Sequence, residues 1–240
     1  TMGYAGDFAG LMELCGREAY EKGIKILTNA GGMNVEGLVE ALRRLALTAG
    51  LQGMKIGYER GDEISEDIPR LYAEGVSFAN MDGTGDFADV RDKIFNANVY
   101  FGHEPTLECL RGGADVVING RSTDSALFLA PVMNELDIRE DDWDRLARRI
   151  IAGHLLECGG QGAGGNFDFD WRSVPRMDEL CFPIAELTET DFHIKKAPDC
   201  GGLISEQSVK EQLLYEVHDP ANYITPDVVV DISGAALRQD

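Results

Sequence analysis

Residues 112–129, written GGADVVINGRSTDSALFL, contain the pattern that most restricts how this chain can fold. The β-branched run at 115–118 predicts a strand, the polar residues 119–124 predict a loop, and an apolar helical pattern begins at Ala126. In open α/β sheets, ligands bind beyond the carboxyl ends of such strands, where helix N-termini present free N–H groups. The loop is therefore the first place to look for a site.

The same succession occurs earlier in the chain. A predicted helix over 7–22 ends at Gly23, residues 24–28 predict a strand, and a loop over 29–34 leads into a second helix that begins at Val35. Two such repeats predict an α/β fold, a three-layer sandwich whose mainly parallel sheet is built from βαβ units. Right-handed crossovers would place both loops at the same carboxyl edge of the sheet.

These two loops carry the predicted binding groups. We expect backbone amides of the first loop to donate to an oxyanion, Arg121 to hold a carboxylate or phosphate through two hydrogen bonds, and Asn34 to cap the helix that follows. The predicted substrate-binding residues are Asn29, Gly31, Gly32, Asn34, Asn119 and Arg121.

Proton transfer is predicted for Asp124, His154 and Glu157. His154 and Glu157 lie three residues apart on a helix predicted over 146–158, so they share one face and can orient each other. A histidine in such a position is also common as a satisfied core residue, and Asp124, like Ser122 and Thr123, is equally suited to N-cap the helix at Ala126. Cys158, at the end of the His154 helix, is predicted to be a poor nucleophile because the helix dipole disfavours a thiolate there.

The remaining segments give weaker signals. Residues 54–57 and the alternating residues 97–101 predict strands, and residues 62–74 predict a helix if it starts near Pro69. A helix is also predicted from His103 to Leu110, and a capping box at Ser208-x-x-Glu211 predicts a helix that runs to Val217.

Composition limits the partners. The formal net charge of −20 would repel nucleic acid and anionic membranes, and no apolar run of 18 residues is present. We therefore expect a soluble protein with a small-molecule acyl substrate, no nucleic-acid or membrane partner, and assembly as a homo-oligomer. The five cysteines form no CxxC pair, which predicts free thiols in a reducing cytoplasm.

No cofactor motif is identified. The run 160–165 matches GxGxxG by letter, but it follows a predicted helix rather than a strand, so it does not predict a dinucleotide site. The four histidines show no metal-binding spacing, and no metal ligand is assigned. A divalent metal held by carboxylates at Asp124, Asp168 or Asp170 stays open.

Five motifs in order along the chain resemble the acyclic terpene utilisation AtuA family. They are GYAGDF at 3–8, TNAGGMN at 28–34, ADVVINGRSTD at 114–124, AGHLLECG at 152–159 and EQLLYEVHDP at 211–220. The resemblance implies a cytoplasmic protein in the catabolism of branched acyclic terpenoid acids, as coenzyme A thioesters. Family members are longer, so we expect a single α/β domain over residues 1–240 within a longer chain. Residues 159–205 are expected to form an irregular glycine-rich and acidic insertion.

The functional expectation is an enzyme with lyase or hydratase chemistry that passes through an enolate-like state on a branched acyl substrate. Two alternatives stay open from the sequence, a non-catalytic binding or scaffold subunit of a catabolic enzyme complex and a metal-assisted small-molecule hydrolase. The identity of the substrate, the order of the strands and the oligomeric state do not follow from the sequence.

Overall fold

A computed structural model describes residues 2–239 of the 240-residue chain. Thr1 and Asp240 lie outside the described residues. The contacts divide the chain into two compact units. The first comprises residues up to Phe101 together with Asp115–Ser122, and the second comprises Gly102–Ala114 together with the chain from Thr123 onward. A single domain over the whole chain stays a prediction.

The first unit is built on a small parallel sheet. Its elements are α1 (Gly6–Glu21), β1 (Ile26–Thr28), α2 (Val35–Thr48), β2 (Ile56–Tyr58), α3 (Ile68–Ala73), two 3-10 turns (Phe87–Asp89 and Arg91–Lys93) and β3 (Val116–Ile118). The strand order is β1-β3-β2, and both pairs are parallel, with Thr28 and Tyr58 each opposite Ile118. The two strands that the repeated pattern predicted are therefore neighbours, and their loops leave the same edge of the sheet.

The core of the first unit lies between its helices and β3. Val116 and Ile118 project to one face of β3 and pack with Met12 of α1 and with Leu38 and Leu42 of α2. The apolar residues of α2 recur at helical spacing, so they form one buried stripe. Val117, on the opposite face of β3, is also buried, as is usual for a central parallel strand.

The second unit is mainly helical. Its elements are α4 (Glu104–Arg111), α5 (Ala126–Leu136), α6 (Trp143–Glu157), three 3-10 turns (Gly159–Gln161, Trp171–Ser173 and Met177–Glu179), β4 (Ile184–Leu187), β5 (Phe192–Lys195), α7 (Glu206–Leu214), β6 (Tyr223–Ile224) and β7 (Val229–Val230). Helix α5 packs against α4 and α6, and α6 packs against α7. β4 pairs with β5 and β6 pairs with β7, each as an antiparallel hairpin.

Both helices and parallel strands are present, as the α/β class requires, whereas the three-layer arrangement is not established by these elements. The segment 159–205, expected to be irregular, contains the three 3-10 turns of the second unit and the β4–β5 hairpin. Among residues 2–239, no helix combines the length and the apolar character needed to cross a membrane.

Four local predictions need correction, one of them only in its bounds. Residues 97–101 form no strand, because Asn98 bridges Glu63 and Phe101 bridges Ser122 singly and no ladder connects them. The helix predicted over 62–74 is confirmed only over α3, which begins next to Pro69. The capping box lies at Ser205 and Ser208, three residues before the predicted position, and α7 ends at Leu214.

The fourth correction concerns cysteine. Cys181 and Cys200 form a disulfide, so the prediction of five free thiols was wrong for this pair. Cys15, Cys109 and Cys158 take no part in a disulfide. The two paired residues come from the ends of a segment that contains the β4–β5 hairpin, and only the fold brings them together.

Candidate functional site

The six predicted substrate-binding residues lie in the first unit, in the loops that follow β1 and β3, here called the strand-end loops (residues 29–34 and 119–122). The loops are adjacent because the parallel ladder continues past the strands, with the Asn119 N–H donating to the Thr28 carbonyl at 2.8 Å. Asn119 is fully buried, whereas Asn29 is exposed at the end of β1.

Gly31 and Gly32 shape the first of these loops. A Cβ built on Gly31 would lie 2.5 Å from the Asn119 carbonyl oxygen, so only glycine allows this approach of the two loops. Gly32 has a φ of +54°, and its N–H donates to the Asn29 carbonyl at 3.2 Å. The Gly32 amide, expected to serve an oxyanion, is thus engaged within the loop.

Asn34 caps α2, as predicted. Its Oδ1 accepts from the Gly37 N–H at 3.0 Å, and its Nδ2 donates to the Met2 carbonyl at 2.8 Å. Both ends of the side-chain amide therefore contribute to local structure.

Arg121 keeps an exposed guanidinium while its backbone is fixed. The guanidinium carbon lies 5.5 Å from the centroid of the Tyr100 ring, and the Arg121 N–H donates to Oδ2 of Asp62 at 2.8 Å. Asp62 is 6% exposed and also accepts from Nδ2 of Asn98 at 2.9 Å. The sequence analysis missed Asp62, because a single aspartate in an acidic chain carries no signal that it will be buried.

The three predicted catalytic residues lie in the second unit. His154 and Glu157 project from the same face of α6, with His154 Nδ1 2.9 Å from Glu157 Oε1. Their side chains are 3% and 10% exposed, respectively. With Glu157 ionised, Nδ1 donates its hydrogen to the carboxylate, and Nε2 carries the lone pair of a base.

Each residue of this pair has one side-chain polar atom that makes no hydrogen bond within the described residues. Within residues 2–239, His154 Nε2 and Glu157 Oε2 are buried without a hydrogen-bond partner. Buried polar atoms are nearly always paired, so two such atoms on one pair mark a place where a water or a substrate supplies the partner.

Tyr223 and Ser125 complete what we call the acid–base cluster (Asp124, Ser125, His154, Glu157 and Tyr223). The Tyr223 ring lies 5.3 Å from the His154 ring. Burial, with the nearby Glu157 and Asp124 carboxylates, raises the pKa of Tyr223 to about 12. The sequence analysis missed Tyr223, which comes from the β6–β7 hairpin some 70 residues beyond His154 in the chain.

The same surroundings shift the acid groups of α6. Burial raises the pKa of Glu157, the hydrogen bond from His154 lowers it, and the Asp124 and Glu216 carboxylates raise it. Burial also raises the pKa of the Cys158 thiol, which agrees with the expectation of a poor nucleophile. Glu216 adopts a φ of +59°, a left-handed conformation that is strained for a residue with a side chain.

Asp124 is not the cap of α5. The N-cap position belongs to Ser125, whose side chain makes no cap bond, and the first-turn amide of Ala126 donates to the Thr123 carbonyl at 3.0 Å. Ser122 and Thr123 likewise precede the cap position, so the capping prediction for all three was wrong. Because Asp124 is exposed and carries no cap bond, its carboxylate is available to the acid–base cluster.

The described residues 2–239 contain no group of three His, Cys, Asp or Glu side chains placed to hold a metal ion. The first unit thus has a parallel sheet with strand-end loops, as α/β proteins do, and the second unit has a buried histidine oriented by a carboxylate.

The whole chain, residues 1–240, matches the sequence model of the family described as acyclic terpene utilisation family protein AtuA. The protein therefore belongs to the AtuA family, as the five motifs indicated. No curated protein and no solved structure matches the chain.

Proposed function

We propose that this protein is an enzyme of acyclic terpene utilisation that transfers protons on a branched acyl substrate, in lyase or hydratase chemistry. The observation that carries the proposal is the buried His154–Glu157 pair, whose Nε2 is oriented by a carboxylate and left without a partner within residues 2–239. A base held in this way is suited to take a proton from water or from a carbon next to a carbonyl.

In the proposed reaction, His154 of the acid–base cluster is the base. His154 Nε2 removes a proton from water while the water oxygen bonds to the β carbon of an unsaturated acyl thioester. The electrons of the double bond shift toward the thioester carbonyl, which places the negative charge on its oxygen as an enolate. His154 then returns the proton to the α carbon as the carbonyl re-forms. The elimination of water follows the same steps in reverse.

Glu157 and Tyr223 serve this cycle in different ways. Glu157 holds His154 in the tautomer with a basic Nε2 and stabilises the imidazolium that forms. Tyr223 is protonated at neutral pH because its pKa is about 12, so its hydroxyl can donate to an enolate oxygen. Asp124 adds a carboxylate that keeps the Tyr223 proton in place.

The test compares His154→Gln and Glu157→Gln with the wild-type protein in the hydration of a branched ten-carbon enoyl-coenzyme A, followed through loss of the conjugated thioester absorbance. We expect turnover to fall about 100-fold or more in His154→Gln and by a smaller factor in Glu157→Gln. His218→Gln, which replaces an exposed histidine of the same unit, is the matched control and should be unchanged.

Asp124→Asn and Arg121→Ala extend the same assay to the strand-to-helix segment that the sequence analysis singled out. Turnover within threefold of wild type in His154→Gln contradicts the acid–base assignment. No turnover by the wild-type protein above the rate without protein favours a non-catalytic binding or scaffold role.

The setting of this activity is part of the proposal. We propose a cytoplasmic homo-oligomer with a three-layer α/β arrangement, a small-molecule acyl substrate, and no nucleic-acid or membrane partner. The family membership and the net charge of −20 support the substrate class and the absence of polyanionic partners.

The Cys181–Cys200 disulfide is the observation against the cytoplasm, where such bonds are rare. Counting reactive thiols in protein isolated under alkylating conditions decides this point. Five thiols support the cytoplasmic location, whereas three thiols contradict it.

A further inference from the structure

A cavity of about 370 Å³ opens in the second unit between α5, α6 and β4. Apolar side chains of all three elements form most of its wall, namely Phe128, Pro131, Val132, Leu136, Leu156 and Leu187. Its volume falls in the range typical of sites for small molecules.

The sequences of the two helices explain the cavity. Pro131 lies inside α5, and α6 presents Ala152 and Gly153 to the same space, so these three short residues leave room between the longer side chains of the two helices. At Gly153 the helices approach closely, since an added Cβ would meet the Ser125 carbonyl oxygen at 3.2 Å. The close contact at Gly153 holds the helices together next to the space that the small residues leave.

Arg149 holds β4, the third wall of the cavity, in place. This arginine of α6 is 1% exposed, and its guanidinium donates to the carbonyl oxygens of Glu189 and Asp191 at 3.0 Å each, in the turn that follows β4. These bonds tie the β4–β5 hairpin to α6, so the cavity is preformed rather than dependent on a ligand to organise it.

The lining of the cavity favours an uncharged hydrocarbon chain as its ligand. The guanidinium of Arg149 is directed to backbone carbonyls, and the other charged lining residue, Glu135, is exposed at the end of α5. A charged group inside the cavity would lose its hydration against a wall that is mostly apolar. A cavity of about 150 Å³ holds benzene, so this volume accommodates an aliphatic chain of about ten to fourteen carbons.

Helix α6 carries residues of both the cavity and the acid–base cluster. Gly153 lines the cavity and the next residue is His154, while Gly153 also contacts Ser125 of the acid–base cluster. We propose that this cavity binds the hydrocarbon chain of the acyl substrate and leaves the carbonyl end outside it, near His154. The inference rests on the proposed function for the identity of the substrate, but the binding of a chain can be measured without turnover.

The experiment measures calorimetric binding of hexanol, octanol and decanol to the intact chain, since these probes carry the chain without the thioester. We expect the affinity to rise about fourfold for each added CH₂ group, because each group leaves water for an apolar wall. The matched probe 1,10-decanediol should bind at least tenfold more weakly than decanol, because it buries a second hydroxyl. Equal affinity for the whole series, or no binding, overturns the proposal.

Two variants locate the site. Ala152→Leu places a larger side chain in the cavity and should weaken decanol binding at least tenfold. Ala147→Leu makes the same change at a half-buried position of α6 that does not line the cavity, so it should bind as wild type does. Equal weakening in both variants, or in neither, overturns the assignment.

A kinetic comparison separates this inference from the proposed function. Ala152→Leu should raise KM for the ten-carbon enoyl thioester about tenfold, and His154→Gln should bind decanol as tightly as wild type. If Ala152→Leu blocks decanol but leaves KM unchanged, the cavity is not the chain subsite and the acid–base proposal still stands. If His154→Gln retains turnover while decanol binding follows the expected series, the catalytic proposal fails and the chain site remains.

Discussion

The strand-end loops and the acid–base cluster differ in how far the polar side chains predicted to act are engaged within the fold. In the loops, Asn34 caps α2 with both ends of its amide, and Asp62, outside the loops, accepts two hydrogen bonds that fix Asn98 and the Arg121 backbone. In the cluster, His154 and Glu157 satisfy each other on one side only, and their other polar atoms are buried without a partner within residues 2–239. A polar residue at the end of a strand is thus weak evidence of function until its hydrogen bonds are counted.

This contrast predicts where substitutions affect stability and where they affect chemistry. Substitution of Asp62 or Gly31 in the first unit should lower the free energy of unfolding. Changes in the acid–base cluster should affect turnover and pH dependence more than they lower stability.

The largest loss of stability is expected at Asp62. Asp62→Ala removes a buried acceptor of two hydrogen bonds, so the free energy of unfolding should fall by about 3 kcal/mol in urea denaturation. Asp62→Asn keeps one acceptor oxygen and should lose about 1 kcal/mol. A loss below about 1 kcal/mol in Asp62→Ala would show that the loop does not depend on this carboxylate.

A somewhat smaller loss is expected at Gly31. Gly31→Ala forces a Cβ against the Asn119 carbonyl, so unfolding should become easier by about 2 kcal/mol. Gly10→Ala is the matched control in the same unit. Gly10 lies within α1 with no atom near an added Cβ, so this change should stabilise the protein by about 0.5–1 kcal/mol. Equal effects at the two glycines would contradict the close contact between the strand-end loops.

At Glu157 we expect substitution to raise the free energy of unfolding at neutral pH rather than lower it. Burial raises its pKa in the folded state, so the native protein holds a proton that the unfolded chain has released above the ordinary value of 4.5. Its contribution to stability is complete below pH 4.5 and is lost as the pH rises through the folded pKa.

Glu157→Gln has no carboxyl group to ionise, so it should not lose stability in this way as the pH rises. It should therefore be more stable than wild type at neutral pH. Urea denaturation across pH 4 to 8 measures the difference, with Glu140→Gln at an exposed position as the control. A difference between wild type and Glu157→Gln that stays constant with pH would refute the raised pKa.

The smallest effect on stability is expected at Arg121. Its guanidinium is exposed over the Tyr100 ring, and such contacts are worth about 0.5–1 kcal/mol at the surface. Arg121→Ala should therefore unfold within about 1 kcal/mol of wild type, as should Arg44→Ala, which removes an exposed ion pair. If Arg121 binds an anionic group of the substrate, only Arg121→Ala should raise KM. Equal KM values in the two variants would exclude that role.

Local chemistry made parts of the fold predictable. Gly23 adopts a φ of +69° where α1 ends, Asn34 caps α2, and the β-branched residues 116–118 form the central strand, as their sequences indicated. Each of these follows from interactions within a few residues of the chain. Residues 97–101 also alternate like a strand, but alternation alone cannot supply the neighbouring ladder that a strand needs.

The candidate site was predictable to a similar extent. The spacing of His154 and Glu157 on one helix implied their contact, because residues three apart in a helix lie side by side. The burial of Asp62, the approach of Tyr223 to His154 and the Cys181–Cys200 disulfide depend on residues far apart in the chain, so no local pattern could reveal them.

The sequence by itself determined the repeated strand, loop and helix units, the pairing of His154 with Glu157 and the membership in the AtuA family, since all three are written in short segments of the chain. The tertiary structure decided which polar groups are used up within the fold and which are left for a ligand. It also decided that Pro131, Ala152 and Gly153 together leave an apolar cavity. These outcomes depend on burial and on packing between distant segments, which exist only once the chain has folded.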